Sequence, residues 1–217
     1  ALLVGNPAFH RSALTQDLKP LPHAAEEVSS IRPLYPGAVV FLGREATADR
    51  FFALAGTSAV VHFAGHAVTN PRFPFRSFLL FAPSESHSGE LFAEELLSRL
   101  QLRKTRLVVL GACDTAGGHP IGPEGLAALV RPLSTAGAPA VVGSLWKVND
   151  QMTKELLVGF HRHFVAGEDA ASALRNAQLD FLNKGKGYGA AISWAPFQVI
   201  GYASAPFPPD HQRRDTP

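Results

Sequence analysis

The chain has 217 residues, of which 46% are hydrophobic and 18% are charged, and its formal net charge is +2. A chain of this length buries a core large enough to fold as one domain without disulfides or structural metals. The nearly balanced charge argues against binding to nucleic acid or to an anionic membrane surface. No apolar stretch has the length of a transmembrane helix, and no signal-peptide pattern opens the chain.

The cysteine content predicts the compartment. Cys113 is the single cysteine in the sequence, so it cannot form a disulfide within the chain. A lone thiol is typical of a protein from a reducing cytosol. The single cysteine therefore predicts a cytoplasmic protein. The nearly balanced charge predicts that neither a membrane nor a nucleic acid is its partner.

Seven apolar runs bounded by turn residues predict β-strands. In chain order they are residues 2–5, 38–42, 59–63, 78–81, 107–112, 140–145 and 197–200. The helical patterns are the stripe of Ala24, Val28 and Ile31, a short helix from its cap Thr47 to Gly56, residues 92–100, a helix opened by Pro123 and Glu124 that ends before Gly137, the stripe of Met152, Leu156, Phe160 and Phe164, and residues 170–182. Strands that alternate with helices predict an α/β fold, a three-layer α/β/α sandwich around a mostly parallel sheet of about six strands.

The domain organisation follows from where this pattern stops. One domain is predicted over residues 1–205. The proline-rich segment 206–217 lacks apolar periodicity, so we expect it to be a disordered tail or an attachment segment. Because the chain opens directly on a strand pattern, we also expect it to be cut from a longer protein or to be processed.

Two similar apolar runs each end in one reactive side chain. Residues 60–66 end in His66, and residues 107–113 end in Cys113. Their β-branched, non-alternating composition is typical of buried parallel strands, whose carboxyl ends meet at one edge of the sheet. A thiol and an imidazole at one edge form a nucleophile and its proton carrier, which predicts a cysteine hydrolase. The alternatives are that Cys113 is a small buried hydrophobe and that His66 is a turn residue.

Three ordered motifs resemble those of the CHAT domain family, the caspase-like peptidase module that commonly accompanies TPR repeats. They are FAGH at residues 63–66, LGACDT at residues 110–115 and SLWKVND at residues 144–150. The similarity runs through most of the chain and leaves out the tail. It implies the fold of caspases and separases, with His66 and Cys113 as the catalytic dyad of a cysteine endopeptidase.

The resemblance also implies an oxyanion site formed by the backbone N–H groups of Cys113 and Ala67. Members of this clan usually have a glycine after the histidine, where this chain has Ala67. Alanine still donates its N–H group, but it resists a positive φ angle. The oxyanion geometry is therefore the point at which this chain departs from the family.

The substrate-binding residues are expected in the third motif. In separases the acidic residue of the matching segment selects a basic side chain before the scissile bond, so the resemblance implies that Asp150 selects Arg or Lys. Asp150 also precedes a helical pattern, and the alternative is that it is the N-cap of that helix. Trp146 is predicted to form a wall of the same pocket, since an aromatic face suits a guanidinium. Its alternative is a core aromatic residue.

The histidines do not predict a metal site, and no cofactor is expected. His62 and His66 are four residues apart in a strand pattern with no carboxylate or cysteine close by in sequence, so His62 is predicted to be a packed core histidine. His161 and His163 point to different faces of a helix, which predicts surface histidines.

The sequence thus predicts a cysteine endopeptidase that cleaves a protein substrate after Arg or Lys. Because an open intracellular peptidase is hazardous, we expect a regulatory partner, such as a repeat or sensor module, to gate it. The alternative is a catalytically silent module that keeps the caspase-like fold and binds peptides. A third possibility is a small-molecule thiol hydrolase or acyltransferase, which would need a deep apolar pocket.

Overall fold

The computed structural model describes residues 1–70, 72–114, 122–184 and 190–204, and it gives the backbone alone for residues 113, 114 and 122–125. The predicted tail, residues 206–217, lies outside the described residues. Within them, no helix is long and apolar enough to cross a membrane.

A single sheet organises the described part of the chain. Its strands are β1 (Leu2–Pro7), β2 (Val39–Gly43), β3 (Val60–Val68), β4 (Phe78–Leu80), β5 (Glu90–Phe92), β6 (Leu107–Asp114), β7 (Ala140–Ser144) and β8 (Phe197–Gly201). Six of these strands follow the order β2-β1-β3-β6-β7-β8, while β4 and β5 extend the sheet beside β3. The pairs from β2 to β7 along this order are parallel, and β8 is antiparallel to β7.

Helices cover both faces of the sheet. They are α1 (Pro22–Ile31), α2 (Ala48–Ala55), α3 (Ala93–Arg99), α4 (Gly122–Thr135), α5 (Asp150–Val165), α6 (Ala170–Leu182) and α7 (Ala191–Trp194). The buried residues of α1, α5 and α6 form one hydrophobic cluster with the sheet, and those of α2, α3 and α4 form a second. The chain is therefore a three-layer α/β/α sandwich, as the sequence predicted.

Local sequence signals account for most of these elements. The hydroxyl of Thr47 accepts a hydrogen bond from the backbone N–H of Arg50, and Gly56 ends the helix, so the predicted cap and stop of α2 are confirmed. The short elements β5 and α7 were not predicted, because three or four residues are too few to show a hydrophobic period.

The strand that carries His66 is longer than its sequence pattern indicated. The pattern predicted a strand over residues 59–63, whereas β3 continues to Val68. The extra length is paired with β4, which lies antiparallel to β3 and places Leu80 opposite His66. A strand from later in the chain therefore pairs with the end of β3 that contains His66.

Candidate functional site

The two reactive residues stand side by side in the sheet. His66 on β3 and Cys113 on β6 are register partners in neighbouring parallel strands. Neighbouring strands lie about 4.8 Å apart, so this register brings the two backbones to the same level at the carboxyl edge. Cys113 also continues the alternating positions of Val109 and Gly111 along β6. The sheet thus juxtaposes the two residues that the sequence singled out.

His66 is almost completely enclosed. Its exposed fraction is 4%, and the ring of Phe9 packs edge-on against it with 5.2 Å between centroids. Burial lowers the pKa of His66 to about 4; a hydrogen bond with the backbone of Lys19 opposes this shift, and the charge of Lys147 adds to it. The imidazole is therefore neutral near pH 7, the form that can accept a proton.

The cover over His66 comes from residues 8–21, between β1 and α1. Leu18 of this segment is buried against Val68, Phe78 and Leu80. This contact holds the segment over the carboxyl end of β3. The sequence analysis missed the cover, because the segment has neither a helical nor a strand period and nothing local shows where it folds.

Ala67 lies within the sheet. Its register partners are Leu79 on one side and Asp114 on the other, and it is buried. Among the described non-glycine residues, a positive φ occurs at Asn6 alone. Ala67 is therefore compatible with its extended backbone, and the concern that alanine would resist a positive φ does not arise.

Asp150 caps a helix other than the predicted one. The side chain of Asn149 accepts hydrogen bonds from the backbone of Gln151 and Met152 and caps α5. Oδ2 of Asp150 instead accepts a hydrogen bond of 2.7 Å from the backbone N–H of His23 in the first turn of α1. The alternative that Asp150 is the N-cap of its own helix is therefore wrong. Burial raises the pKa of Asp150, and the bond from His23 opposes that shift.

Asp150 lines a small pocket beside the dyad strands. The lining residues are Leu21, Gly65, Gly111, Lys147, Val148, Asp150 and Thr153. Gly65 and Gly111 come from β3 and β6, close before His66 and Cys113. The indole Nε1 of Trp146 donates a hydrogen bond of 3.1 Å to the carbonyl of Ile192 in α7. The neighbouring Lys147 is among the lining residues of this pocket and Trp146 is not, so the role of Trp146 in substrate binding stays a prediction.

A line of buried polar side chains crosses the layer between the sheet and α5. Nε2 of His62 lies 2.9 Å from Oε1 of Glu27. Nδ1 of His62 lies 3.1 Å from Nε2 of His161, whose Nδ1 lies 2.7 Å from the hydroxyl of Tyr35. The prediction that His62 is a core histidine is confirmed.

The prediction that His161 is a surface residue is wrong, since none of it is exposed. Its position four residues after Leu157 places it on the buried stripe of α5, and this spacing was the signal that could have identified it. Burial lowers the pKa of His161 well below its usual value, so this ring is neutral.

A family model for the CHAT domain matches residues 1–202. The chain belongs to the CHAT domain family. Tetratricopeptide repeat protein 28 of Homo sapiens is 28% identical to it over 234 residues, and its Mus musculus counterpart is 27% identical over 233 residues. Each alignment covers 93% of this CHAT domain and 9% of the relative, so the chain spans a small part of these proteins.

Solved structures share the fold of this CHAT domain. The crystal structure of the Arg-specific cysteine proteinase gingipain R matches with a TM-score of 0.60 and 13% identity, over 94% of this chain and 46% of that one. The complex of Porphyromonas gingivalis RgpB pro- and mature domains matches with a TM-score of 0.53 and 11% identity, over 94% of this chain and 47% of that one. The predicted family and the caspase-like α/β/α fold are confirmed.

The geometry of this CHAT domain suits acyl-transfer chemistry. A neutral imidazole stands at the same register level as the only cysteine, and a carboxylate lines a pocket between the dyad strands and α5. Such a site needs a route for substrate to reach His66, because residues 8–21 cover it.

Proposed function

We propose that this CHAT domain is a cysteine endopeptidase that cleaves protein substrates after Arg or Lys. The observation that carries the proposal is the register pairing of His66 with Cys113 at the carboxyl edge of the parallel sheet. Chemistry concentrates at this edge in open α/β folds, because loops and strand ends from several segments converge there.

In the proposed reaction, neutral His66 accepts the proton of the Cys113 thiol, and the thiolate attacks the scissile carbonyl carbon. The backbone N–H groups of Cys113 and Ala67 donate to the resulting oxyanion. His66 then gives its proton to the leaving amine, and a water molecule hydrolyses the thioester in the same manner. At neutral pH the His66 ring is unprotonated and can accept this proton. Burial also makes the ring a weaker base, so the first step requires the cover over His66 to move.

The basic specificity rests on Asp150. Its carboxylate lines a pocket that is also lined by Gly65 and Gly111, close before His66 and Cys113. A long cationic side chain seated there would extend from the scissile bond toward the carboxylate.

Gating follows from the cover over His66. Substrate access requires the segment that contains Phe9, Lys19 and Leu18 to move away from the end of β3. We propose that a regulatory partner supplies this change. The relatives are tetratricopeptide repeat proteins, which makes a repeat module the favoured partner.

The test is cleavage of fluorogenic peptides with Arg, Lys or citrulline before the scissile bond. Cys113→Ala and His66→Ala should each lower kcat/KM by about a thousandfold or more. The matched control is His163→Ala, which removes a partly exposed histidine on α5 that pairs with Glu168 and Asp180, and it should cleave normally. Undiminished cleavage by Cys113→Ala would end the proposal.

The enclosure of His66 also favours a second candidate, a catalytically silent peptide-binding module. A thiol-directed probe at neutral pH separates the two. Rapid labelling of Cys113 that slows at least tenfold in His66→Ala indicates an activated nucleophile. Slow labelling that is indifferent to His66, with peptide binding retained, indicates the binding module.

A further inference from the structure

Asp150 alone does not give its pocket a net negative charge. Lys147 lines the same pocket, so its lining contains a cationic side chain as well as this carboxyl group. Lys154, which also acts on Asp150, is paired with Glu26 at 2.7 Å, so those two charges cancel. A pocket that selects a cation therefore needs another negative group.

Glu27 stands directly behind one wall of the pocket. The wall residue is Gly111, and a Cβ placed on it would lie 2.5 Å from Oε1 of Glu27. Because Gly111 has no side chain, the buried carboxyl group of Glu27 lies directly against the backbone of this lining residue. Glu27 reaches this place from α1, one helical turn after the residue whose N–H binds Asp150.

The carboxyl group of Glu27 can accept from more than one donor. Its Oε1 lies 2.9 Å from Nε2 of His62, and this contact opposes the effect of burial on the pKa of Glu27. A carboxylate has two oxygens with about four acceptor positions, so the contact with His62 leaves room for a further donor.

Glu27 and Asp150 also influence each other electrostatically. Burial raises the pKa of Glu27, His62 opposes the shift, and the charge of Asp150 adds to it. His23, whose N–H binds Asp150, lies one helical turn before Glu27 on α1, so the two carboxyl groups lie at the same end of this helix. A cation between them would reverse this repulsion and favour the ionised form of both.

We propose that Glu27 is a second specificity determinant of this pocket, an inference that rests on the proposed function. Across the backbone of Gly111, Glu27 acts with Asp150 to give the pocket a net negative charge. The pocket thereby selects a guanidinium side chain. Asp150 is then the exposed partner of the substrate cation. Glu27 is the buried partner, and its charge decides whether the net charge of the pocket is negative.

The experiment measures binding without cleavage. The chain with Cys113→Ala is titrated with N-acetyl-arginine methylamide and with its citrulline counterpart, which has the same shape and no charge. We expect the arginine ligand to bind more tightly, and Glu27→Gln to weaken it by about tenfold while the citrulline ligand changes less than about twofold. Gly111→Ala, which pushes the carboxylate away from the pocket, should weaken the arginine ligand in the same direction.

The matched control is Glu155→Gln. It removes the same formal charge from α5, where Glu155 pairs with Lys184 away from the pocket, and it should leave both ligands unchanged. Thermal unfolding of every variant separates loss of the fold from loss of binding. Arginine binding that is equal in Glu27→Gln and Glu155→Gln overturns the inference, as does an arginine affinity no higher than that for citrulline.

Cleavage by the chain that retains Cys113 is measured separately. Glu27-dependent arginine binding without any cleavage would remove the endopeptidase proposal and keep the role of Glu27. Cleavage after arginine, together with arginine binding that does not depend on Glu27, would keep the endopeptidase proposal and remove the role of Glu27.

Discussion

The two faces of the sheet bury different chemistry. On the face covered by α2, α3 and α4, the interior is apolar and contains the aromatic contacts of Phe81 with Phe51 and Phe63. On the face covered by α1, α5 and α6, the hydrophobic cluster is interrupted by a line of buried polar groups that begins at Glu27 and ends at Tyr35.

This difference indicates which face serves stability and which serves the site. Apolar side chains need no partners, whereas each buried polar group loses its hydration and must be compensated by contacts. The polar line lies on the face that also contains the Asp150 pocket. We infer that the apolar face supplies the stability that allows the other face to bury Glu27, His62 and His161.

The largest expected effect comes from breaking the apolar face. Phe81→Ala removes a completely buried ring that contacts two other phenylalanines, and it should lower the free energy of unfolding by about 3–5 kcal/mol. Urea denaturation measures the change. Phe73→Ala, at a residue that is 59% exposed, should change stability by less than about 0.5 kcal/mol. Equal losses at the two positions would remove the distinction between core and surface on which the comparison rests.

The next effect is a pH dependence confined to the polar face. The pKa of His66 is about 4 in the folded chain, against 6.5 for an unperturbed histidine. As the pH falls from 6.5 to 4, the unfolded chain binds a proton that the folded chain excludes, so stability falls with pH by up to about 3 kcal/mol. His161 adds to the same fall, because burial also lowers its pKa.

The variant His66→Gln isolates the first of these two contributions. Denaturation curves recorded between pH 7 and pH 4 should show a shallower loss of stability in the variant, with the contribution of His161 left in place. An unchanged slope would mean that His66 is solvated, and the account of its cover would fail.

A smaller effect should come from the end of the polar line. Tyr35→Phe removes the hydroxyl that lies 2.7 Å from Nδ1 of His161 and leaves that nitrogen without this partner. The expected loss is about 2 kcal/mol, because a buried polar atom left unpaired retains its desolvation penalty. Tyr202→Phe is the control, since Tyr202 is 68% exposed and should lose almost nothing on urea denaturation. A Tyr35→Phe variant with unchanged stability would show that the polar line ends at His161.

The parts of the site that were predicted correctly rest on local patterns. The strand character of residues 60–66 and 107–113 was visible because β-branched runs without alternation indicate buried strands, and parallel strands align their carboxyl ends. Those two facts place His66 and Cys113 at the same edge of the sheet, and the structure adds that their strands are neighbours and that the two residues are register partners. The same locality explains the correct cap at Thr47.

The errors and omissions around Asp150, His66 and β3 share one cause, which is contact between segments distant in the chain. Whether Asp150 caps α5 or α1 depends on the position of His23, and no pattern around Asp150 contains that information. The lengthening of β3 depends on β4, and the burial of His66 depends on a loop near Phe9.

The sequence by itself determined the layered α/β fold, the family and the placement of Cys113 at the end of a strand, because hydrophobic period, turn residues and short motifs are properties of neighbouring residues. Only the tertiary structure decided what surrounds the dyad: the cover over His66, the polar partners of His161 and the carboxyl group of Glu27 behind Gly111. These depend on how helices pack across the sheet, and packing brings together residues that no local pattern links.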